Sequence, residues 1–421
     1  MISIKNQVNS RFWIVVLTGL IPLQTACVRQ PNLSSKVVES EAKAFAQSVT
    51  NSTYADVQAL VNMGARVTGT PAIEKASSYL VEEYRKAGYK TEIQTFTYDK
   101  FIDNGSNLII DNTTVPGYAL ENSVPGKVQA KLVVVPNAGR ESDFAAVNVK
   151  GAIAIVKYGE INISEKARNA KEKGALGLVI FNNQPEELDG APLAKELNIP
   201  VLGISGKKAN ILIKRTEKTP LNITLNVNCK NQVLTGRNII ARVEGVTQPK
   251  VVLGGHYDTV IGSPGANDNA SGTAVLLAIA RKIANTPLAR QTWFVAFDGE
   301  EDGLHGSRAF VDKATPKLLT GLKAMMNFDM VGVNQKLRIG GTSSLNSLVK
   351  ATPQVKLVGG GNANDGSDHQ SFAAKGVPIL FFNRGEEPNY HTPNDKAVDT
   401  RLLDETTQVS LDIVKRLATE Y

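Results

Sequence analysis

Residues 251–285 read VVLGGHYDTVIGSPGANDNASGTAVLLAIARKIAN. The opening run VVLGG is apolar throughout and predicts a buried strand, whereas Ser271–Asn285, rich in alanine and leucine, predicts a helix. Three further apolar runs follow along the chain: TWFVAF (292–297), AMMNFDMVG (324–332) and VPILFF (377–382). Apolar strands that alternate with helices are typical of a largely parallel sheet covered on both faces. From about Arg237 onward, the sequence therefore predicts an α/β fold.

Carboxylates and histidines follow these predicted strands or lie in the loops between them. They are His256 in GGHYDTV, Asp268 in GANDNASG, Glu300 and Glu301 at the end of the strand TWFVAFDGEE, Asp329 in NFDMVG and His391 in YHTPND. Ligands in such folds bind beyond the carboxyl ends of the strands. Burying several carboxylates together at that edge is costly unless a cation compensates their charge. The residues therefore predict a metal site.

The donor atoms favour zinc, with manganese or cobalt as alternatives, because they are oxygens and imidazole nitrogens without a thiolate. Five ligands are too many for one tetrahedral zinc ion that keeps an open position. They suit two metal ions, about 3.5–4 Å apart, that share one bridging carboxylate. Successive side chains at a strand end point in different directions, so one carboxylate of the pair Glu300–Glu301 can bind metal while its neighbour faces the water between the ions.

The blocks GGHYDTV, GANDNASGTA, FDGEEDGLHGS, NFDMVG and YHTPNDK resemble, in order, the signature blocks of the co-catalytic zinc aminopeptidases. That family includes secreted bacterial aminopeptidases, aminopeptidase Y and the group of glutamate carboxypeptidase and the transferrin receptor. The resemblance covers residues 233–421, and the helical segment 38–98 completes the same domain. It implies a three-layer α/β/α zinc-peptidase domain with a mostly parallel central sheet. The implied enzyme is a metallo-aminopeptidase that hydrolyses peptides with a free N-terminus through a water activated by two zinc ions.

Matching the blocks residue by residue implies a complete catalytic site. The implied ligands are His256 and Asp329 for one zinc ion, Glu301 and His391 for the other, and Asp268 as the bridge. Glu300 is then the general base, which takes a proton from the attacking water and delivers it to the leaving amine. Tyr390 is implied to donate a hydrogen bond to the tetrahedral oxyanion. A packing role beside the loop is the alternative for Tyr390.

The same resemblance implies how the first ligands are supported. Asp258 is implied to fix the tautomer of His256, and the alternative is a simple turn aspartate. The family pattern also implies a cis peptide bond between Asp268 and Asn269.

The two remaining histidines are assigned to the surroundings of the site. Asp368 and His369, in GSDHQSF, match a block that flanks the substrate pocket without binding metal. His305 occupies a position where an aliphatic residue is common in the family. We expect it to be a partly exposed loop histidine, with a contact to substrate as the alternative.

The sequence pattern changes near Phe101, where short apolar runs are separated by glycine, proline and asparagine. The blocks VKGAIAIVKYG, EKARNAKEKGALGLVIFNN and IPVLGISG resemble, in order, those of a protease-associated (PA) domain over residues 101–231. Such domains are β-rich, non-catalytic inserts that shape substrate access or bind partners. The catalytic domain is therefore expected in two pieces, 38–100 and 232–421. Within the first piece, the pattern predicts helices over 37–49, from about Ala55 and over Ile73–Ala87, and a strand over Tyr89–Tyr98.

Residues 1–27 predict a secretory signal peptide. Two basic residues precede the apolar run 12–23, which is short for a membrane span. The run ends in LQTAC, which resembles the bacterial lipoprotein cleavage box apart from Gln24, and the resemblance implies a lipid on Cys27. Ordinary signal cleavage nearby is the alternative. Both cases predict a secreted or cell-envelope protein, with a linker over 28–37 and, in the first case, a lipid anchor to a membrane.

Composition restricts the partners and the ligands. The net charge is +7, but lysine and arginine are scattered without a basic run, so we expect no nucleic-acid binding. The chain has 2 cysteines, which excludes a zinc site made of thiolates. The second cysteine, Cys229, is expected either to pair with Cys27 or to remain a free buried thiol.

Three other functions stay open at this stage. A glutaminyl cyclase uses the same fold with a single zinc ion, although the intact His256 favours the two-metal set. A carboxypeptidase that acts on acidic dipeptides needs basic residues around the substrate carboxylate, which one sequence does not locate. A non-catalytic binding protein, as in the transferrin-receptor branch, has lost its metal ligands. The zinc content per chain separates the two-metal peptidase, the cyclase and the binding protein.

Overall fold

The computed structural model describes residues 52–184, 192–358 and 366–420. The predicted signal peptide, Cys27, the linker and the helix predicted over 37–49 lie outside these ranges. The helices are α1 (52–62), α2 (Pro71–Lys86), α3 (Glu141–Ala145), α4 (Ile163–Glu172), α5 (Gly206–Thr216), α6 (Gly272–Ile283), α7 (His305–Lys313), α8 (Pro316–Thr320), α9 (His369–Ala373) and α10 (Thr400–Glu420). Short 3-10 segments lie at Ala289–Gln291 and Ser343–Leu348.

The strands form two sheets of eight strands each. In chain order the strands are β1 (Lys90–Asp103), β2 (Asn107–Ile110), β3 (Thr113–Pro116), β4 (Tyr118–Ala119), β5 (Gly126–Val134), β6 (Ile153–Lys157), β7 (Gly177–Phe181), β8 (Val201–Ile204), β9 (Asn222–Val227), β10 (Cys229–Arg242), β11 (Val251–His256), β12 (Thr292–Phe297), β13 (Ala324–Phe328), β14 (Leu337–Gly341), β15 (Val355–Val358) and β16 (Ile379–Asn383).

The first sheet has the order β1-β10-β12-β11-β13-β16-β14-β15. Its centre is parallel, because β12, β11, β13 and β16 pair side by side in the same direction. Antiparallel pairs lie on both sides of that centre, at β1–β10, β10–β12 and β16–β14. The predicted mostly parallel sheet is therefore confirmed, and its four central strands are the four apolar runs of the sequence.

Helices cover both faces of this sheet. Residues of α2, α6 and α10 pack on one face together with Leu253 and Phe294, and all residues from Gly272 to Ala280 in α6 are buried. On the other face, Val252 and Val295 pack against residues of α7 and α9. Full burial of one such side chain contributes about 1.5–3 kcal/mol. Because successive strand residues serve opposite cores, the strands are apolar at every position, and the three-layer α/β/α arrangement follows.

The second sheet has the order β3-β2-β9-β5-β6-β7-β8-β4, and β5 to β8 are parallel neighbours. It carries one apolar core on each face, with α4 over one and α5 over the other. Its strands lie in the β-rich region that the sequence predicts for the PA domain.

The two sheets are joined by a ribbon, defined as the antiparallel pair β1 and β10, each 14 residues long. All 14 residues of β1 are in register with β10, from Lys90–Arg242 to Asp103–Cys229. The strand predicted over Tyr89–Tyr98 thus continues five residues further. The predicted boundaries at 100/101 and 231/232 both fall inside the ribbon.

A long apolar helix of the membrane-crossing kind does not occur within the described residues. The helices of the first sheet are amphipathic or buried in its cores.

Candidate metal centre

The predicted ligands meet at the carboxyl ends of the central parallel strands. His256 is the last residue of β11, and Asp329 directly follows β13. Glu301 lies four residues after the end of β12, in a turn. Asp268 lies in the turn Ala266–Ser271 before α6, and His391 lies in the loop after β16. Parallel neighbours end at the same edge, which brings these residues together as the sequence predicts.

The side chains form two groups that share Asp268. Nε2 of His256 lies 3.3 Å from Oδ1 of Asp268 and 3.3 Å from Oδ1 of Asp329. Nε2 of His391 lies 3.1 Å from Oδ2 of Asp268 and 3.1 Å from Oε2 of Glu301. Each oxygen of Asp268 therefore faces a different histidine. Three donors converge at each of two positions, which suits two metal ions joined by one carboxylate.

Glu300 is close to the same centre but contacts it differently. Ligand atoms of His256, Glu300 and Asp329 lie within 4.8 Å of one another, so proximity alone would allow Glu300 to bind metal. The direct contacts favour another arrangement. In the described part of the chain, His256 contacts only aspartates, and His391 contacts Asp268 and Glu301. Glu300 remains beside the centre with a carboxylate available for proton transfer.

Charge and burial show that this cluster suits cations. Burial raises the pKa of Glu301 to about 7 and that of Glu300 well above its usual value. Hydrogen bonds to Asp268 and Glu301 raise the pKa of His391 to about 10. In addition, Oε1 of Glu301 is buried without a hydrogen-bond partner in the described ranges. A buried acceptor without a donor, among crowded carboxylates, is stabilised by a cation.

Asp258 supports both His256 and the acidic turn, defined as the turn that carries Glu300 and Glu301. Its Oδ1 lies 3.5 Å from Nδ1 of His256, on the side of the ring away from the cluster. Its two oxygens also accept the backbone N–H groups of Glu300 and Glu301, at 3.3 and 3.2 Å. The sequence predicts only the contact with His256. The contacts with the turn make Asp258 a link between one ligand and the pair Glu300–Glu301.

The prediction that Glu300 and Glu301 end a strand is wrong. Strand β12 ends at Phe297, and the pair lies in a turn in which Gly299 adopts a φ of +74°. Backbone hydrogen bonds from Gly303 and Leu304 to the carbonyl of Glu300 close this turn. The turn, and not strand alternation, therefore positions the two carboxylates, with Glu301 in contact with His391 and Glu300 near His256 and Asp329.

The turn of Asp268, the predicted bridging ligand, is held by groups that sequence reasoning missed. The peptide bond Asp268–Asn269 is cis, as the family resemblance implies. The carboxylate of Asp395 accepts the backbone N–H groups of Asn267 and Asp268 at 2.7 and 3.0 Å. The amide of Asn269 donates to the carbonyl of Phe328 at 2.8 Å. Asp395 follows His391 by four residues in YHTPND, so its position in that block was the only available signal.

Two further residues support the centre without being predicted. Ser367 donates its hydroxyl to Oδ2 of Asp329 at 2.7 Å, which leaves Oδ1 directed at His256. Arg66 is fully buried and donates to the carbonyls of Tyr257 and Pro264, at 2.8 and 2.6 Å. Burial lowers the pKa of Arg66 to about 10, so it remains charged at neutral pH next to the carboxylates.

Tyr390 lies at the open side of the centre. Its ring stacks on that of His391 with a centroid distance of 3.7 Å, and 38% of the residue is exposed. Burial and the nearby carboxylates raise the pKa of its phenol, so the hydroxyl stays protonated and can donate a hydrogen bond.

The other predicted residues lie around the centre. Asp368 and His369 are fully buried at the start of α9, and the ring of His369 stacks on Phe381 at 4.4 Å. His305 is partly exposed as expected, but it begins helix α7 and does not lie in a loop. Its ring stacks on Tyr98 at 3.8 Å because the start of α7 packs against the ribbon.

The acidic turn is also attached to the ribbon through Asp302. The hydroxyl of Tyr98 donates to Oδ2 of Asp302 at 2.6 Å, and Nζ of Lys100 donates to Oδ1 at 2.5 Å. Tyr98 and Lys100 both lie on β1, and Asp302 directly follows Glu301. The strand that leads to the second sheet therefore holds the turn that carries Glu300 and Glu301.

Comparison with known proteins identifies both the peptidase domain and the PA domain that the sequence predicts. The model of peptidase family M28 matches residues 238–414, and the PA domain model matches residues 128–212. Among solved structures, the aminopeptidase from Aneurinibacillus sp. strain AM-1 is 28% identical with a TM-score of 0.71, over 87% of this chain and 93% of that one. BSAP, a zinc aminopeptidase from Bacillus subtilis, is 27% identical with a TM-score of 0.65, over 88% of this chain and 95% of that one.

Curated relatives agree with the structures. Aminopeptidase YwaD of Bacillus subtilis is 30% identical over 363 residues, which cover 79% of this chain and 76% of that protein. A protein of Mycobacterium tuberculosis named probable lipoprotein aminopeptidase LpqL is 30% identical over 73% of this chain, and the match spans just under two thirds, 65%, of its own length. From the family match, the similarity to YwaD and the geometry of the centre, the chain belongs to peptidase family M28 and carries a PA domain.

Proposed function

We propose that this protein is a zinc-dependent exopeptidase of the aminopeptidase type, which hydrolyses the N-terminal residue of peptides. The observation that carries the proposal is Asp268, whose two oxygens contact Nε2 of His256 and Nε2 of His391. One carboxylate shared by two groups of donors suits a pair of metal ions in a hydrolase. The relatives named aminopeptidases and the solved zinc aminopeptidase support the reaction and the metal.

The proposed cofactor is two zinc ions per chain. The residues that would hold them are His256, Asp268 and Asp329 for one ion and Asp268, Glu301 and His391 for the other. When bound, zinc makes water a stronger nucleophile and polarises the carbonyl of the scissile peptide. Asp258 keeps the ring of His256 in place by contacting Nδ1, so that Nε2 stays directed at the centre.

Glu300 is the proposed general base. Its backbone N–H is held by Asp258 at 3.3 Å, and its side chain is not used in an ion pair with His256 or His391. The carboxylate takes the proton of the attacking water and then delivers it to the nitrogen of the leaving amine. Tyr390 donates its hydroxyl to the oxyanion that develops on the scissile carbonyl, because it lies at the open side of the centre beside His391.

The test begins with the purified protein and its zinc content. We expect about two zinc ions per chain and hydrolysis of leucyl-4-nitroanilide that a chelator abolishes and zinc restores. Acetylating the α-amine of the substrate is expected to prevent cleavage, because an aminopeptidase recognises the free N-terminus. Cleavage of the acetylated substrate at the same rate would exclude an aminopeptidase, and one zinc ion per chain would favour the cyclase.

A second experiment addresses the general base. Glu300→Gln is expected to lower kcat about 10²- to 10⁴-fold, the usual contribution of general acid–base catalysis. The matched control is Glu165→Gln, an exposed glutamate on α4 over the second sheet, which should leave kcat within twofold. A kcat for Glu300→Gln near that of wild type would rule out the proposed role, provided the zinc content is unchanged.

The proposed location is the cell envelope, with a lipid on Cys27. The motif LQTAC and the relative named as a probable lipoprotein support this location. Expressed in a bacterial host, the wild-type protein should sediment with membranes and Cys27→Ser should remain in the soluble fraction. If both proteins distribute in the same way, the lipid anchor is excluded and ordinary signal cleavage is favoured.

A further inference from the structure

A cavity of about 550 Å³ opens directly beside the metal centre. Asp329 and Tyr390, which belong to the centre, form one side of it. Met330 and Phe381 add apolar surface, and Arg338 and Asn383 add polar groups. If the scissile carbonyl lies at the metals, the side chain of the first substrate residue needs a pocket of this kind next to it.

Arg338 faces this cavity because of strand register. Strand β14 pairs antiparallel with β16, so that Arg338 lies opposite Asn383 and Gly340 lies opposite Phe381. Side chains alternate along a strand, and Leu337 and Ile339 are buried in the core on the other face. Arg338 is therefore fixed by backbone pairing on the same face as the other residues that line the cavity, and Gly340 adds no side chain between them.

The guanidinium of Arg338 has no acidic partner within the described ranges. No carboxylate oxygen there lies within 4.0 Å of its nitrogens. Its Nη1 lies 3.5 Å from the position that a Cβ on Gly385 would take, and Gly385 lines the cavity. The nearby Arg384 differs, because it is buried and donates to Glu405 and to the carbonyl of Val331.

A second donor lies beside Arg338. Oδ1 of Asn383 accepts the backbone N–H of Gly385 at 3.0 Å. The amide nitrogen of Asn383 is consequently the group left to donate into the cavity. A guanidinium and an amide N–H side by side form a site for an anion.

We infer that this cavity selects substrates with an acidic first residue, glutamate or aspartate, through Arg338. The inference rests on the proposed aminopeptidase function and names its substrate class. The methylene groups of a glutamyl side chain pack against Met330 and Phe381, and its carboxylate accepts hydrogen bonds from Arg338 and Asn383. The strand-fixed position of Arg338 favours this arrangement because little of its backbone has to be ordered on binding.

Glu386 is the group that opposes this specificity. It lines the same cavity and would favour a cationic side chain instead. Both side chains are exposed, but Glu386 lies on the loop after β16, whereas Arg338 is carried by a strand between two partner strands. A lysyl substrate therefore separates the two assignments.

The experiment compares glutamyl-, glutaminyl-, leucyl- and lysyl-4-nitroanilide with the zinc-loaded protein. Glutamate and glutamine have nearly the same shape, so their ratio of kcat/KM reports on charge. The wild type is expected to prefer the glutamyl substrate at least tenfold, and Arg338→Gln should lower that ratio about 10- to 100-fold. The matched control Lys336→Ala removes a positive charge two residues away, outside the cavity lining, and should leave the ratio within twofold.

A ratio unchanged in Arg338→Gln, or a wild-type preference for the lysyl substrate, would overturn the inference. Calorimetric binding of free L-glutamate and L-glutamine to both proteins provides a readout that does not need turnover. Tighter binding of glutamate to the wild type, lost in Arg338→Gln, would support the role of Arg338 even if no substrate were cleaved. Failure to cleave all four substrates contradicts the proposed aminopeptidase instead, whereas equal binding of the two amino acids contradicts the acidic pocket.

Discussion

Replacing Asp395 with asparagine is expected to loosen the turn that carries Asp268, the proposed bridging residue. The carboxylate of Asp395 accepts the backbone N–H groups of Asn267 and Asp268 at 2.7 and 3.0 Å. Asp395 is only 2% exposed, so water does not readily replace a lost contact. An asparagine keeps one acceptor oxygen but turns its own N–H group toward the second backbone N–H.

The size of the effect follows from these two contacts. A hydrogen bond to a charged group contributes about 1.5–3 kcal/mol, and the substitution removes one and weakens the other. At about 1.4 kcal/mol for each factor of ten, the support of Asp268 weakens by about 10- to 100-fold. Loss of a group that supports a metal ligand lowers metal affinity over the same range. Because Asp268 faces both histidines, we expect both zinc positions to lose affinity together.

The assay is competition for zinc between the protein and a chromophoric chelator. Asp412→Asn is the matched control, since Asp412 is exposed on α10, where it contacts Lys415 and none of the predicted ligands. Its zinc dissociation constants should equal those of the wild type. Dissociation constants for Asp395→Asn within twofold of the wild type would refute the positioning role of Asp395, and loss of one ion only would refute the bridging role of Asp268.

Two further outcomes are expected from packing and burial. A Cβ on Gly272 would lie 2.3 Å from the carbonyl oxygen of Phe328, so Gly272→Ala should lower the free energy of unfolding by about 1–3 kcal/mol in urea. Gly366→Ala, whose Cβ meets nothing within 4 Å, is its control, and equal unfolding midpoints would contradict the clash. Burial raises the pKa of the Cys229 thiol to about 11, so at pH 8 iodoacetamide should alkylate the folded protein far more slowly than the urea-unfolded protein. Similar rates would contradict a buried thiol.

The central strands were predictable because their two faces serve two cores. Val251 to His256 and Thr292 to Phe297 are buried at every position, so the sequence there is apolar without alternation. Parallel strands that end at one edge then predict that His256 and Asp329 meet. This part of the site depends on strand order and direction alone.

The parts that depend on loops were not predictable in the same way. The carboxylate of Asp395 reaches a backbone 127 and 128 residues away along the chain. The placement of Glu300 and Glu301 comes from a turn with Gly299 at positive φ and not from the strand before it. Contacts of this kind require the relative placement of several loops, which periodicity does not encode.

Strands β14 and β15, at one side of the first sheet, were also missed. Strand β14 is short, and Arg338, its second residue, interrupts the apolar pattern because one face is exposed to the cavity. A single polar residue in a short run favours a loop as readily as a strand. The residue that carries the specificity inference was therefore visible only once its register with β16 was known.

The ribbon limits how this chain can exchange its insert with related proteins. Tyr98 and Lys100 hold Asp302, and Lys100 lies opposite Gln232 in the register of β1 and β10. A recombination event that joins a foreign insert beyond the pair Lys100–Gln232 keeps both supports of the acidic turn. A crossover on the other side of this pair, toward Lys90–Arg242, replaces Lys100 with a foreign residue next to Asp302. Gene fusions that preserve activity should therefore cluster on the far side of this one pair.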